Sequence, residues 1–120
     1  MRGGIHQKEA LELLLRKMAR FCGMKVLTHC VMGNHFHVLV RVPQQEEWVK
    51  QFEGPEGEER LMKHLRKLYS KRFVESLKAE IARWREIGNE PFAERCLKAI
   101  RARFCDISVY VKEVKSRFTK

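Results

Sequence analysis

Lys25-Val-Leu-Thr-His-Cys-Val-Met-Gly-Asn-His-Phe-His-Val-Leu-Val-Arg-Val42 is the stretch on which the architecture turns. Two runs rich in β-branched residues, 25–32 and 35–42, flank a Gly33-Asn34 pair, the combination that favours a tight hairpin turn. Pro43 ends the second strand because it has no N–H to give to a ladder. Side chains alternate along a strand, so His35, His37, Leu39 and Arg41 share one face. Phe36, Val38, Val40 and Val42 form an apolar back. If Gly33-Asn34 is the whole turn, Met32 stands opposite His35 and Cys30 opposite His37, with His29 on the apolar side. A different loop length reverses the two faces.

Helices surround this hairpin. Before it, Leu11, Leu14, Leu15, Met18 and Cys22 recur at helical spacing over about 6–22, and Gly23 stands where a left-handed C-terminal cap is wanted. The Arg2-Gly3-Gly4 lead-in reads as loop. After the hairpin, 44–60 is an acidic loop or a short, interrupted helix, because it holds Gly54, Pro55 and Gly57. From Glu58 the spacing of Leu61, Leu65, Leu68, Phe73, Leu77, Ile81 and Trp84 is helical, with a break near Ser70 and an end at Gly88. Asn89 caps a further helix with Pro91 in its first turn, carried by Phe92, Cys96, Ile100 and Phe104. Asp106 or Ser108 caps the last one, with Ile107, Val111, Val114 and Phe118 on one face. Two strands among so many helices give an α+β class. A lone hairpin is marginal in water and its edges want partners, so the chain reads as one incomplete domain, with 44–104 a mostly helical insertion.

With 120 residues, 44% hydrophobic and 33% charged, the chain is globular. It lacks an apolar run long enough for a membrane span and an N-terminal apolar signal segment, so a cytoplasmic, DNA-associated protein is expected. Net charge is +10 and the pI near 9.8. Residues 1–42 carry 7 basic and 2 acidic side chains, 43–63 carry 3 and 6, and 64–120 carry 15 and 7, which leaves an acidic stretch between two basic blocks. Such a balance suits a polyanion, nucleic acid above all, although a basic helix face can simply be solvated. The four cysteines form no Cys-x-x-Cys pair; Cys22, Cys96 and Cys105 read as small buried hydrophobes.

The histidines carry the chemistry. Residues i and i+2 of a strand lie about 6.8 Å apart at Cα, close enough for two imidazoles to converge on one ion. Two histidines on a half-exposed strand are also ordinary polar-face residues. The run Cys30-Val-Met-Gly-Asn-His-Phe-His-Val-Leu-Val40 resembles the signature of the HUH endonucleases, most closely the REP-associated tyrosine transposases. In that branch a strand ending in Met-x-Asn runs into His-x-His followed by aliphatics. The resemblance takes in Phe21-Cys22-Gly23 before the strand, and Asp106-Ile-Ser108 and Lys112-Glu-Val-Lys-Ser-Arg-Phe118 in the last helix.

That resemblance implies a ferredoxin-like α+β domain that cuts and rejoins single-stranded or hairpin DNA, often as a homodimer. His35 and His37 would hold one Mg²⁺ or Mn²⁺ against the scissile phosphate, as Lewis acid and template. A tyrosine would attack and leave a 5′-phosphotyrosine. Arg41, on the histidine face, is the first candidate for DNA contact, followed by Lys112, Lys115 and Lys120 on the last helix. Arg66, Lys67, Lys71 and Arg72 form a further basic cluster.

The sequence departs from the family at its nucleophile. The family's tyrosine lies near an Asn-Pro-Val segment that is missing here, and neither Tyr69 nor Tyr110 stands at its position. Tyr110 falls on the apolar side of its helix, and Tyr69 sits in an amphipathic one. The catalytic tyrosine is therefore unassigned, and the expectation is a DNA-binding, transposase-like remnant, truncated at both ends, with weak or no cleavage. Trp48 and Trp84 read as packing anchors, and His29 and His64 as surface or packing residues. Two other classes fit the same residues: a non-catalytic nucleic-acid-binding module, and a small regulator holding Zn²⁺ through His35, His37 and Cys30, since a thiolate favours zinc.

Overall fold

The computed structural model describes residues 5–33 and 35–119, so the Arg2-Gly3-Gly4 lead-in, Asn34 and Lys120 lie outside the described residues. Among those described, six α-helices and one antiparallel two-strand hairpin make an α+β fold. The chain divides into two compact units. One takes in the chain up to Gln44 and again from Cys105; the other is Gln45–Phe104.

The first unit holds α1 (Ile5–Phe21), β1 (Lys25–Met32), β2 (His35–Arg41) and α6 (Ile107–Phe118). Leu11, Leu15, Met18, Ala19 and Cys22 bury one stripe of α1. Gly23 ends the helix at φ 82°, with Gly23 N–H donating to Arg20 O and Met24 N–H to Ala19 O. This paired pattern satisfies carbonyls that a helix end otherwise leaves bare. The chain then turns straight into β1. The register pairs Met32 with His35, Val31 with Phe36, Cys30 with His37 and His29 with Val38, as a two-residue turn requires. An irregularity between Val26 and Thr28 shifts the pairing, so Thr28 faces Leu39 and Lys25 faces Arg41. Gly33 takes φ 58°, a conformation that costs a glycine nothing. β1 packs on α1, with Val31 buried, and Phe36, Val38 and Val40 are half-buried on the back of β2. Asp106 caps α6, its Oδ1 accepting from Ser108 and Val109 N–H, and Tyr110 and Val114 bury the inner side of that helix. The Tyr110 hydroxyl donates to Leu15 O at 2.9 Å and ties α6 to α1.

The second unit is helical throughout: α2 (Gln45–Trp48), a 3₁₀ turn (Val49–Phe52), α3 (Gly54–Leu65), α4 (Lys71–Glu86) and α5 (Glu90–Arg101). Its centre is aromatic. Trp48, Phe52, His64 and Phe104 meet with ring centroids 5.2–5.9 Å apart, around Leu61, Leu65 and Leu97. Gln45 Nε2 donates to Ala102 O and Phe104 O, closing the first residue of the unit onto its last.

Three expectations shift in detail. α3 begins at Gly54, not near Glu58: Pro55 lies in the first turn, where its missing N–H costs nothing. Gly57 is buried against the Phe52 backbone, which a Cβ would strike, so it is a packing residue and no breaker. In α4 the inward residue is Val74, whereas Phe73 is 49% exposed. The buried line of α5 is Ala93 and Leu97, because Phe92 stacks on Trp84 at the rim, 4.3 Å between rings. Asn89 caps α5 and Ser70 caps α4, each accepting from the N–H three residues on.

Candidate functional site

The alternation of β2 is complete in its exposure: His35, His37, Leu39 and Arg41 are exposed and Phe36, Val38 and Val40 half-buried. Across the ladder the same face carries Met32, Cys30, Thr28 and Lys25, all exposed. The front is therefore a strip with two imidazoles, a thiol beside His37 and two cations, Lys25 and Arg41, paired at its far end. The apolar back fixes this face outward, since a one-residue slip would bury the histidines and expose the valines.

Sequence reasoning placed Met32 and Leu39 beside the imidazoles but gave them no role; they are 54% and 57% exposed. Their alternation with the buried residues was the available signal. Large apolar side chains left open beside polar ones mark a surface able to take a partner.

Among the described residues, Arg41 alone of the expected DNA contacts shares the histidine face. Lys112 and Lys115 are exposed on α6, the helix that packs on α1. Lys120 lies outside the described residues.

Two imidazoles and one thiol share the strip, yet among the described residues no three His, Cys, Asp or Glu side chains come together as a metal-holding group. An ion at His35 and His37 would take most of its ligands from water or a bound phosphate. That oxygen-rich set suits Mg²⁺ or Mn²⁺ better than the closed sulfur and nitrogen shell of structural zinc.

His29 lies on the back, as the register requires. Its Nδ1 is 3.8 Å from a Glu12 carboxylate oxygen and makes no hydrogen bond. This is a packing histidine. Tyr110 is fully buried, and burial first, with Cys22 second, pushes its hydroxyl up to about 12. A phenol that is shielded, engaged with Leu15 O and reluctant to ionise is no nucleophile. Tyr69 belongs to the second unit, where it stacks on Phe73. Cys105, half-buried, has its thiol raised by burial and holds φ 55° while its N–H donates to Cys22 O.

Compared with known protein families, curated proteins and solved structures, the chain matches none. Among the described residues no helix is long and apolar enough to cross a membrane.

Proposed function

We propose that the chain is a single-stranded DNA-binding domain of the HUH transposase type, a fragment of the ferredoxin-like fold of that family, and that alone it binds DNA with weak or no cleavage. One observation carries this reading: His35 and His37 stand together on an exposed strand face whose register is locked by an apolar back. Arg41 extends the same face by one more alternation and supplies a guanidinium for a neighbouring phosphate.

A Mg²⁺ or Mn²⁺ ion, when bound, would draw charge from a phosphate and orient its oxygens. The protein's own part is simpler. His35 and His37 offer two neutral nitrogens from a rigid strand, and Arg41 and Lys25 offer positive charge at one end of it. Tyr110 is sealed in the core and supplies no activated hydroxyl. A second copy of this chain would bring the same sealed phenol, so a tyrosine nucleophile would come from a different polypeptide. Tyr110 burial also favours a second reading, a nucleic-acid-binding module that has lost strand cleavage altogether.

The test is binding of a labelled single-stranded hairpin oligonucleotide in EDTA and in Mn²⁺, with denaturing gels to reveal covalent adducts. Wild type is expected to bind about tenfold more tightly in Mn²⁺, about 1.4 kcal/mol, and His35→Ala/His37→Ala to lose that gain. Equal, metal-independent binding by both proteins would sink the metal role and leave the non-catalytic module. Stoichiometric retained zinc, with unfolding on chelation, would replace both with the zinc regulator.

A further inference from the structure

The strongest positive feature of the second unit is the corner where α3 gives way to α4. Residues 63–72 hold five Lys or Arg and no Asp or Glu. Lys63, Arg66, Lys67, Lys71 and Arg72 are all exposed, and among the described residues none of the five is in an ion pair. The C-terminus of α3 and the N-terminus of α4 meet here, so their dipoles offset and the side chains set the sign. Arg66 braces the turn, its Nη1 donating to Tyr69 O at 2.9 Å.

Amid these cations sits an aromatic pair. Tyr69 and Phe73 are 4.9 Å apart at their centroids and tilted by 31°, with Phe73 49% exposed. Phe73 lies in the first turn of α4, directly after Lys71 and Arg72 in the sequence. The open cleft between α3 and α4 carries Lys63, Arg66 and Lys71 at this corner. Farther along it Glu75 pairs with Lys78 and Glu58 with Arg85, so the unpaired positive charge lies at the corner.

We propose that this corner is a second DNA-binding surface, separate from the histidine strip, that takes a short run of single-stranded DNA: phosphates on Lys67, Lys71 and Arg72, and a base stacked on Phe73. Single strands are favoured over duplex because only an unpaired base has a free face for the ring. The proposal rests on the DNA-binding reading above and extends it from the histidine strip to the helical segment.

The experiment is fluorescence-anisotropy titration of the full chain with a labelled oligothymidylate in EDTA, over a range of salt. Three proteins are compared: wild type, Lys67→Ala/Lys71→Ala/Arg72→Ala and Phe73→Leu. The substituted side chains are solvent-facing, and circular dichroism checks each fold. The triple variant should lower the slope of log affinity against log salt by about 2, at roughly 0.7 per phosphate contact. Phe73→Leu should weaken binding roughly tenfold and leave that slope unchanged, and an abasic oligonucleotide should erase its effect. If wild type binds and the triple variant matches it in affinity and slope, this surface is overturned alone. If wild type binds no single-stranded DNA with or without Mn²⁺, the DNA reading falls and this surface with it. Stronger binding to duplex or to oligouridylate than to oligothymidylate would also overturn it.

Discussion

The two units solve the same stability problem in opposite ways. Gln45–Phe104 surrounds a four-ring aromatic centre and staples its periphery, Arg85 reaching Glu58 with both terminal nitrogens and Glu90 through Nε, and Arg101 pairing with Glu94 at 2.6 Å. The unit around the hairpin has one helix behind its sheet, a bare front and two strands without further neighbours among the described residues. Away from the α3–α4 corner, several charged side chains of the helical unit pair with one another. The hairpin front makes no such contribution, and its residues are free to be chosen for what they contact outside the chain. An exposed strand face with no structural task of its own is a place to look for function.

The contrast breaks hardest at the aromatic centre. Phe104 is 2% exposed and touches three other rings, so Phe104→Ala should cost about 3–5 kcal/mol. Hydrogen exchange is the informative readout: amides of α3 and α5 should lose protection first, while the hairpin ladder retains more of its own. Equal loss in both units would show that they unfold as one and would blunt the comparison.

The first unit has its own buried anchor in Tyr110. The folded state keeps the phenol proton to about 12, whereas the unfolded chain releases it near 10. Between those values the unfolded state binds fewer protons, so stability falls as pH rises; the contribution is whole below 10 and gone above 12. The loss should reach about 2–3 kcal/mol, at 1.36 kcal/mol per pH unit. Tyr110→Phe should show a flatter denaturant midpoint from pH 9.5 upward, having given up about 1 kcal/mol at neutral pH with the hydrogen bond to Leu15 O. Parallel curves for the two proteins would mean that the phenol is not sealed.

Closure of the helical unit is a smaller matter. Gln45→Ala removes two hydrogen bonds to Ala102 O and Phe104 O, both to carbonyls near the surface, and should cost about 1 kcal/mol in thermal or urea unfolding. A cost near zero would assign the closure to the rings alone.

How much of this could be read from the residues depended on the period involved. The hairpin was legible because a period of two allows no drift, and Gly33-Asn34 set the register that places Cys30 beside His37. The caps at Gly23, Asn89 and Asp106 were legible because each performs a local task that few residue types perform. Helical stripes were less so: an apolar line drawn through Phe73 or Phe92 fits the spacing, yet Val74, Ala93 and Leu97 face inward, since large rings can rest at a rim that small residues cannot usefully fill. Gly54, Pro55 and Gly57 read as breakers, although a first turn tolerates proline and Gly57 answers to the Phe52 backbone, a contact across the chain. For the site, period two put His35, His37 and Arg41 on one face. It could not place α6, so the relation of Lys112 and Lys115 to the histidines depends on packing that no local pattern encodes.

The smallest stability effect is expected where the chemistry is densest. His35 and His37 are exposed, and neither imidazole makes a hydrogen bond, an ion pair or a ring contact among the described residues. Removing them touches no cap, core or ladder hydrogen bond, and surface changes of that kind stay within about 0.5 kcal/mol. His35→Ala/His37→Ala should therefore unfold at the wild-type urea midpoint in metal-free buffer. A drop well beyond 0.5 kcal/mol would make the pair structural, and any accompanying loss of metal-dependent DNA binding would then follow from a damaged hairpin. An unchanged midpoint together with a lost Mn²⁺ response would separate the two explanations, because a strand that remains folded while losing its ligand response has lost only what it presents to the outside.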